Sequence, residues 1–262
     1  MFLACDLGNT FAKFGLYEHN ELKRFIKCPY EEFSADVFQA WEIDRIGISS
    51  VVPQMTEKIA GILSEKFTCL PFIINSASSR FNLKINYKSP STLGIDRICS
   101  AEGAFSLFRS DPDFSKYNEN TFIVTADLGT ATTINIVGYY AEFLGGIIMP
   151  GISTMANSLF TNTAKLPRVD PLDAYKGFIG IDTASSISSG IINSTSGIIE
   201  RTVMRLEKEQ NAQSVKLYLT GGFAEVMKNY VETDSIVVKD LVLRGIKAIY
   251  ERNFVDKERN IF

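Results

Sequence analysis

Histidine is almost missing from this chain: His19 is the only one in 262 residues. The four cysteines, Cys5, Cys28, Cys69 and Cys99, are scattered, with no CxxC spacing. A zinc site therefore lacks its usual ligands. The thiols read as reduced and structural, as in a reducing cytosol. Positive charge is not in excess either. The 27 Lys and Arg are set against 30 Asp and Glu, for a net charge of −3, which argues against a nucleic-acid-binding face. Long apolar runs are absent as well. The uncharged stretch Phe143–Ala164 is broken by glycine, proline, serine and asparagine, a poor membrane span. The N-terminus has neither the basic flank nor the sustained apolar core of a signal peptide. These absences point to a cytoplasmic protein with neither nucleic-acid nor membrane partners.

What is present is ordinary in bulk and unusual in pattern. Apolar residues make up 45% and charged residues 22%, as in a soluble globular protein. A chain of this length buries about three-quarters of its unfolded surface and needs no disulfide or metal to fold. Nearly the same phrase occurs twice, DLGNT at Asp6–Thr10 and DLGTATT at Asp127–Thr133. Each copy directly follows a short apolar run, Phe2–Cys5 or Thr121–Ala126. Repetition at a distance of about 120 residues suggests two related halves.

The elements around both copies agree. Phe2–Cys5 and Phe11–Tyr17 read as strands joined by a tight turn, where Gly8 and Asn9 are the residues best able to take positive φ. Leu22–Lys27 completes a meander. Arg45–Val52 is a strand, Gln54–Lys66 a helix and Cys69–Ile74 a strand. Arg80–Gly94 is a polar and aromatic loop, and Ile95–Phe108 a helix. Ser110–Asn120, charged and poor in aliphatic residues, is the linker. The second half repeats the opening with strands at Thr121–Ala126, Thr132–Val137 and Phe143–Met149. Helices follow at about Thr154–Asn162 and Asp182–Glu209, the latter capped by Asp182 or Thr183. Gly190 and Gly197 within it suggest a kink or a close helix contact. Val215–Leu219 is a strand leading into Thr220–Gly222, and Leu241–Arg252 a closing amphipathic helix. A repeated meander followed by helices and strands is an α/β duplication rather than a bundle or a sandwich.

An aspartate, a glycine and a threonine at the end of a strand can receive metal-bound phosphate. Gly8 admits close backbone approach, Asn9 and Thr10 are donors, and Asp6 is a direct or water-mediated cation ligand. Taken singly, DLGNT also reads as a plain hairpin turn. The second copy adds the oxygen-rich rim of Asp127, Thr130, Thr132 and Thr133, although threonine is common in strands for its shape alone. GIDR at Gly94–Arg97 reads either as a capping pair or as a general base, Asp96, beside an anion-binding Arg97. A positioned base contributes about 10²–10⁴-fold, and a guanidinium can hold a carboxylate with two parallel hydrogen bonds.

The motifs in order are DLGNT, Y-x-x-P-x-x-L-G-I-D-R at Tyr87–Arg97, DLGTATT, LGGIIMPG at Leu144–Gly151 and LTGG at Leu219–Gly222. Together they closely resemble type III pantothenate kinase. The resemblance continues through KLPRV at Lys165–Val169, IGIDT at Ile179–Thr183 and LVLRGI at Leu241–Ile246, so it spans the chain. It implies the fold of the acetate and sugar kinase, Hsc70 and actin superfamily: duplicated ribonuclease-H-like halves, residues 1–116 and 117–262, with a nucleotide cleft between them. It also implies ATP-dependent phosphorylation of pantothenate, the first step toward coenzyme A. Asp6, Leu7, Gly8, Asn9, Thr10, Phe11, Ala12 and Lys13 match the family's ATP-phosphate segment, and Thr130 matches a further ATP contact. Asp96 matches the proton acceptor. Gly94, Ile95, Asp96 and Arg97 match a pantothenate-binding segment, with Tyr87 and Thr183 as further contacts. Asp127 matches the ligand of a monovalent cation, potassium or ammonium, and magnesium accompanies ATP. The family's members are cytoplasmic homodimers, so Thr183 serves its own or the neighbouring subunit's site. Two rivals are another enzyme of the superfamily and a non-catalytic regulatory relative; intact Asp6, Asp96 and Asp127 count against the second.

Overall fold

The computed structural model describes residues 1–259. Two compact units are present: Met1–Asp111 with Ala141–Leu144 and the stretch from Asp240 onward, and Pro112–Tyr140 with Gly145–Lys239.

In the first unit, β1 (Phe2–Leu7), β2 (Ala12–Glu18) and β3 (Glu21–Cys28) form the meander. Next come β4 (Arg45–Ser50), α1 (Pro53–Lys66) and β5 (Phe72–Ile73). Pro53 opens α1 at a first-turn position, where its missing N–H costs nothing. The sheet order is β3-β2-β1-β4-β5, with β4 parallel to β1 and β5 parallel to β4. The polar loop after β5 contains a two-residue strand, β6 (Lys84–Ile85), too short to leave any periodicity in the sequence. It leads on to α2 (Ile95–Arg109).

The second unit repeats the plan. Its strands are β7 (Thr121–Leu128), β8 (Ala131–Gly138) and β9 (Glu142–Pro150), the last beginning in the first unit. They are followed by α3 (Ile152–Asn162), α4 (Thr183–Gln210), β10 (Ser214–Thr220), the single turn α5 (Ala224–Met227) and β11 (Ser235–Val237). The sheet has six strands, and apart from β6 at the β9 edge its order β9-β8-β7-β10-β11 copies that of the first sheet, with β7 and β8 antiparallel and β10 parallel to both β7 and β11. Asp182 caps α4 in a reciprocal capping box with Ser185, and Asn211 ends it in the left-handed conformation. Gly190 and Gly197 correspond to no break: α4 runs unbroken past both, and a Cβ on either would meet nothing within 4 Å.

The last helix, α6 (Leu241–Arg259), belongs to the first unit. Every residue of β1 is buried, so its two faces meet different layers. Leu3, Cys5 and Leu7 share one core with Phe38, Ile59 and Leu63. The alternate face, Phe2, Ala4 and Asp6, turns toward the other side, where Phe2 packs on Tyr250 of α6 at 5.0 Å between ring centroids. Glycines bring α2 and α6 to backbone contact: a Cβ on Gly103 would lie 2.1 Å from the carbonyl oxygen of Leu241, and one on Gly245 would lie 1.7 Å from that of Cys99. The start of α6 is fixed by Asp240, whose Oδ2 accepts the hydroxyl of buried Tyr17 at 3.0 Å and pairs with Arg244 at 2.9 Å. No helix among the described residues is long and apolar enough to cross a membrane, and the four cysteines are unpaired.

Candidate active site

In the first unit, Asp6 ends the buried run of β1 on the side covered by α2 and α6, and it is 5% exposed. Its cross-strand partner on β2 is Lys13, whose ammonium lies 3.2 Å from Asp6 Oδ2. On the other side it stands in register with Ser49 of β4. Gly8–Phe11 connects β1 to β2 and is closed by the N–H of Gly8 on the carbonyl of Phe11 at 3.2 Å. Neither Gly8 nor Asn9 takes positive φ, although the sequence singles them out as the residues best able to do so in a tight turn. The connection has four residues, and loops of that length are built around ordinary type I turns. Tyr30 donates its hydroxyl to the carbonyl of Gly8 at 2.5 Å and steadies the loop from outside.

Asp96 and Arg97 come from the first turn of α2. Gly94 is its N-cap, and a Cβ there would stand 2.5 Å from Asp96 Oδ1. The carboxyl thus folds back over the helix start, where it accepts the N–H of Arg97. Burial raises its pKa above the ordinary carboxylate value, the Arg97 N–H opposes that rise, and the charge of Asp6 adds to it. A partly dehydrated carboxylate held near a second one is suited to accept a proton. Arg97 is buried, with its guanidinium 5.8 Å from the ring centroid of Phe143. Tyr87 meets the same ring edge-on at 6.2 Å. Phe143 thereby brings Tyr87 and Arg97 together, and Ile95, between Gly94 and Asp96, is buried.

In the second unit, the motifs gather at one end of the sheet. Asp127 lies opposite Thr133 on β8 and Thr220 on β10. Gly221, with φ of +93°, lies so close that a Cβ would be 2.6 Å from Asp127 Oδ1. Gly151 sits against the DLGT turn: its N–H reaches the carbonyl of Thr130 at 3.0 Å, and a Cβ would fall 2.1 Å from the carbonyl of Gly129. Thr154 donates its hydroxyl to the Thr130 carbonyl at 2.6 Å. DLGT, PG and TGG are therefore parts of one constellation. Thr183 stands exposed at the first position of α4, behind the Asp182 cap.

The side chains at both turns are carboxylates and hydroxyls, a hard-oxygen set that suits magnesium or potassium rather than a soft metal. Among the described residues, no three His, Cys, Asp or Glu cluster into a cage of their own. Magnesium is ordinarily held by one or two carboxylates together with substrate phosphates, and Asp6 fits that arrangement. Sequence reasoning missed Tyr30, Ser49 and Phe143. In the sequence Phe143 opens a strand and an uncharged stretch, and nothing local marks it as the hub for Tyr87 and Arg97.

The duplicated plan recurs in solved structures. Glucokinase from an Antarctic psychrotroph superposes with a TM-score of 0.51 at 12% identity, covering 96% of this chain and 98% of that one. A ParM filament from Clostridium botulinum gives 0.51 at 10% identity, covering 96% and 99%. At such identities the likeness defines the fold alone, that of the actin-like and sugar-kinase ATPases. Sequence narrows this further. Residues 2–205 match the family described as type III pantothenate kinase. The type III pantothenate kinase of Desulfosudis oleivorans is 30% identical over 263 residues, covering 95% of this chain and 98% of the relative. The chain belongs to the type III pantothenate kinase family.

Proposed function

We propose that this protein transfers the γ-phosphoryl group of ATP to the primary hydroxyl of pantothenate, giving ADP and 4'-phosphopantothenate in the cytoplasm. The observation that carries this assignment is the juxtaposition on one helix start of Asp96, whose carboxyl is raised by burial and by Asp6, with buried Arg97 beside Phe143 and Tyr87.

Phosphoryl transfer asks a protein for alignment and charge compensation more than for covalent chemistry. Bound MgATP supplies the transferred group together with the cation that spreads its charge. Asp6 would hold that magnesium directly or through water, and the Gly8–Thr10 backbone would meet the phosphates, with Lys13 directly across from Asp6 on the neighbouring strand. Asp127, in the same turn as Thr130, would hold the potassium or ammonium ion. Arg97 takes the carboxylate of pantothenate, and Tyr87 packs along its body. Asp96 accepts the hydroxyl proton as the new oxygen–phosphorus bond forms and the bond to the ADP oxygen breaks. A second copy of the chain covers Phe178, Ile179 and Ile181, which are 75%, 77% and 89% exposed just ahead of Thr183. Apolar side chains so clustered and so bare usually mark an interface.

The test is a coupled assay of ADP release with ATP and magnesium, with and without pantothenate and potassium. Pantothenate-dependent ADP release that rises with potassium is expected. Its absence at ample ATP rejects the assignment and favours a non-catalytic relative.

A further inference from the structure

A buried carboxylate on α2 has no part in the chemistry above. Glu102 lies six residues beyond Asp96, about 9 Å along the helix axis, and is 1% exposed. Its Oε1 accepts the backbone N–H groups of Asn82 at 2.7 Å and Leu83 at 2.9 Å, and its Oε2 accepts the side-chain amide of Asn82 at 2.9 Å. A carboxylate withdrawn from water is tolerated only when donors replace the lost hydration. Here all three donors come from two consecutive residues. Burial still raises its pKa, with those donors and the charge of Arg252 opposing the rise.

Asn82 and Leu83 are the root of the segment that carries Tyr87. On the far side of that root, Asn253 of α6 binds Arg80: its Oδ1 accepts the Arg80 N–H at 3.0 Å, its Nδ2 donates to the Arg80 carbonyl at 2.8 Å, and its own carbonyl accepts the guanidinium at 2.7 Å. From Leu83 the chain forms β6, pairs in parallel with Glu142 and Phe143, and sets Tyr87 against the Phe143 ring. It then returns to α2 at Gly94. The segment is thus tied to one helix at both ends, and that helix carries Asp96 and Arg97.

We infer that Glu102 is a positioning residue for the acceptor substrate: by pinning Asn82 and Leu83 to α2, it holds Tyr87 in register with Asp96 and Arg97. The inference rests on the pantothenate assignment above. It concerns the acceptor half of the reaction and leaves the nucleotide turn untouched.

Exchange of hydrogen-bond polarity tests it. Asn82 is exposed, and Asn82→Asp sets a carboxylate against that of Glu102 with almost no change of size; a urea midpoint near wild type checks that the fold is kept. The KM for pantothenate should rise about tenfold to a hundredfold, the range that small misplacements produce, while the KM for ATP stays within about twofold. In the Glu102→Gln/Asn82→Asp double variant the pair is restored with donor and acceptor exchanged, and the KM for pantothenate should return toward wild type. Hydrogen exchange at the amides of residues 82 and 83 should speed up in the single Asn82→Asp variant and slow again in the double. An unmoved KM for pantothenate in the single variant, an equal rise in both KM values, or failure of the second substitution to rescue overturns the role of Glu102. A wild-type protein that does not turn over pantothenate overturns the assignment as well, so the two failures are distinguishable.

Discussion

The carboxyl of Asp96 occupies the place where a Gly94 side chain would be: a Cβ built on Gly94 falls 2.5 Å from Asp96 Oδ1. Gly94 has φ of −55°, a backbone that alanine adopts without strain. Gly94→Ala therefore acts on the Asp96 side chain and not on the chain path. Turnover with pantothenate should fall about tenfold to a hundredfold while the urea midpoint moves little. Unchanged turnover would mean that the folded-back carboxyl is not the working position.

Asp96 also sets a pH dependence. Burial and then the Asp6 charge hold its pKa above the ordinary value, so the acid limb of kcat/KM for pantothenate should lie at higher pH than an exposed aspartate would give. The linked stability has the opposite sense. A carboxyl raised by folding binds more protons folded than unfolded, so its contribution is complete below the unfolded pKa and lost as pH rises through the folded one. Asp96→Asn carries no charge to bury, so its stability advantage over wild type should widen as pH rises through that range. Urea titrations at a series of pH values check this, and a constant or narrowing gap contradicts it.

The contact between α2 and α6 admits no side chain at Gly245, where a Cβ would lie 1.7 Å from the Cys99 carbonyl. The obstacle is backbone, so a helix must move. Gly245→Ala should cost about 3 kcal/mol, the upper end of ordinary overpacking, seen as a lower urea midpoint at an unchanged slope. Activity should fall too, because α2 carries Asp96. A variant as stable as wild type would show that the two helices can part without penalty.

At the second turn, Gly221 combines φ of +93° with a Cβ position 2.6 Å from Asp127 Oδ1. Gly221→Ala should cost about 1–3 kcal/mol of backbone strain and displace the Asp127 carboxyl. The potassium concentration for half-maximal activity should rise several-fold, with the KM for pantothenate nearly unchanged. Normal potassium activation in a folded variant would separate Asp127 from the cation.

Much of this was readable in the sequence because local chemistry decided it. FLAC before DLGNT and TFIVTA before DLGTATT are apolar runs closed by turn residues, and both became β-turn-β units. Asp182 was recognisable as a cap because a short acceptor precedes a helical pattern. The short strands β6 and β11 were invisible, since two or three residues carry no period. The negative φ of Gly8 and Asn9 escaped as well: composition names residues able to bend, whereas loop length decides whether they must. Tertiary facts were the least legible. Gly103 and Gly245 become informative only once the two helices are seen to cross at them. Glu102, a charge among the buried residues of α2, offered a signal that single-residue motifs do not capture.

The most direct test is single-turnover phosphorylation of pantothenate by Asp96→Asn at saturating MgATP and potassium. Removal of the proposed proton acceptor should slow the chemical step by about 10²–10⁴-fold, with nucleotide affinity retained and stability no lower than wild type. A rate within a few-fold of wild type would contradict the account, because the side chain held back by Gly94 and charged against Asp6 would then have no part in moving the proton.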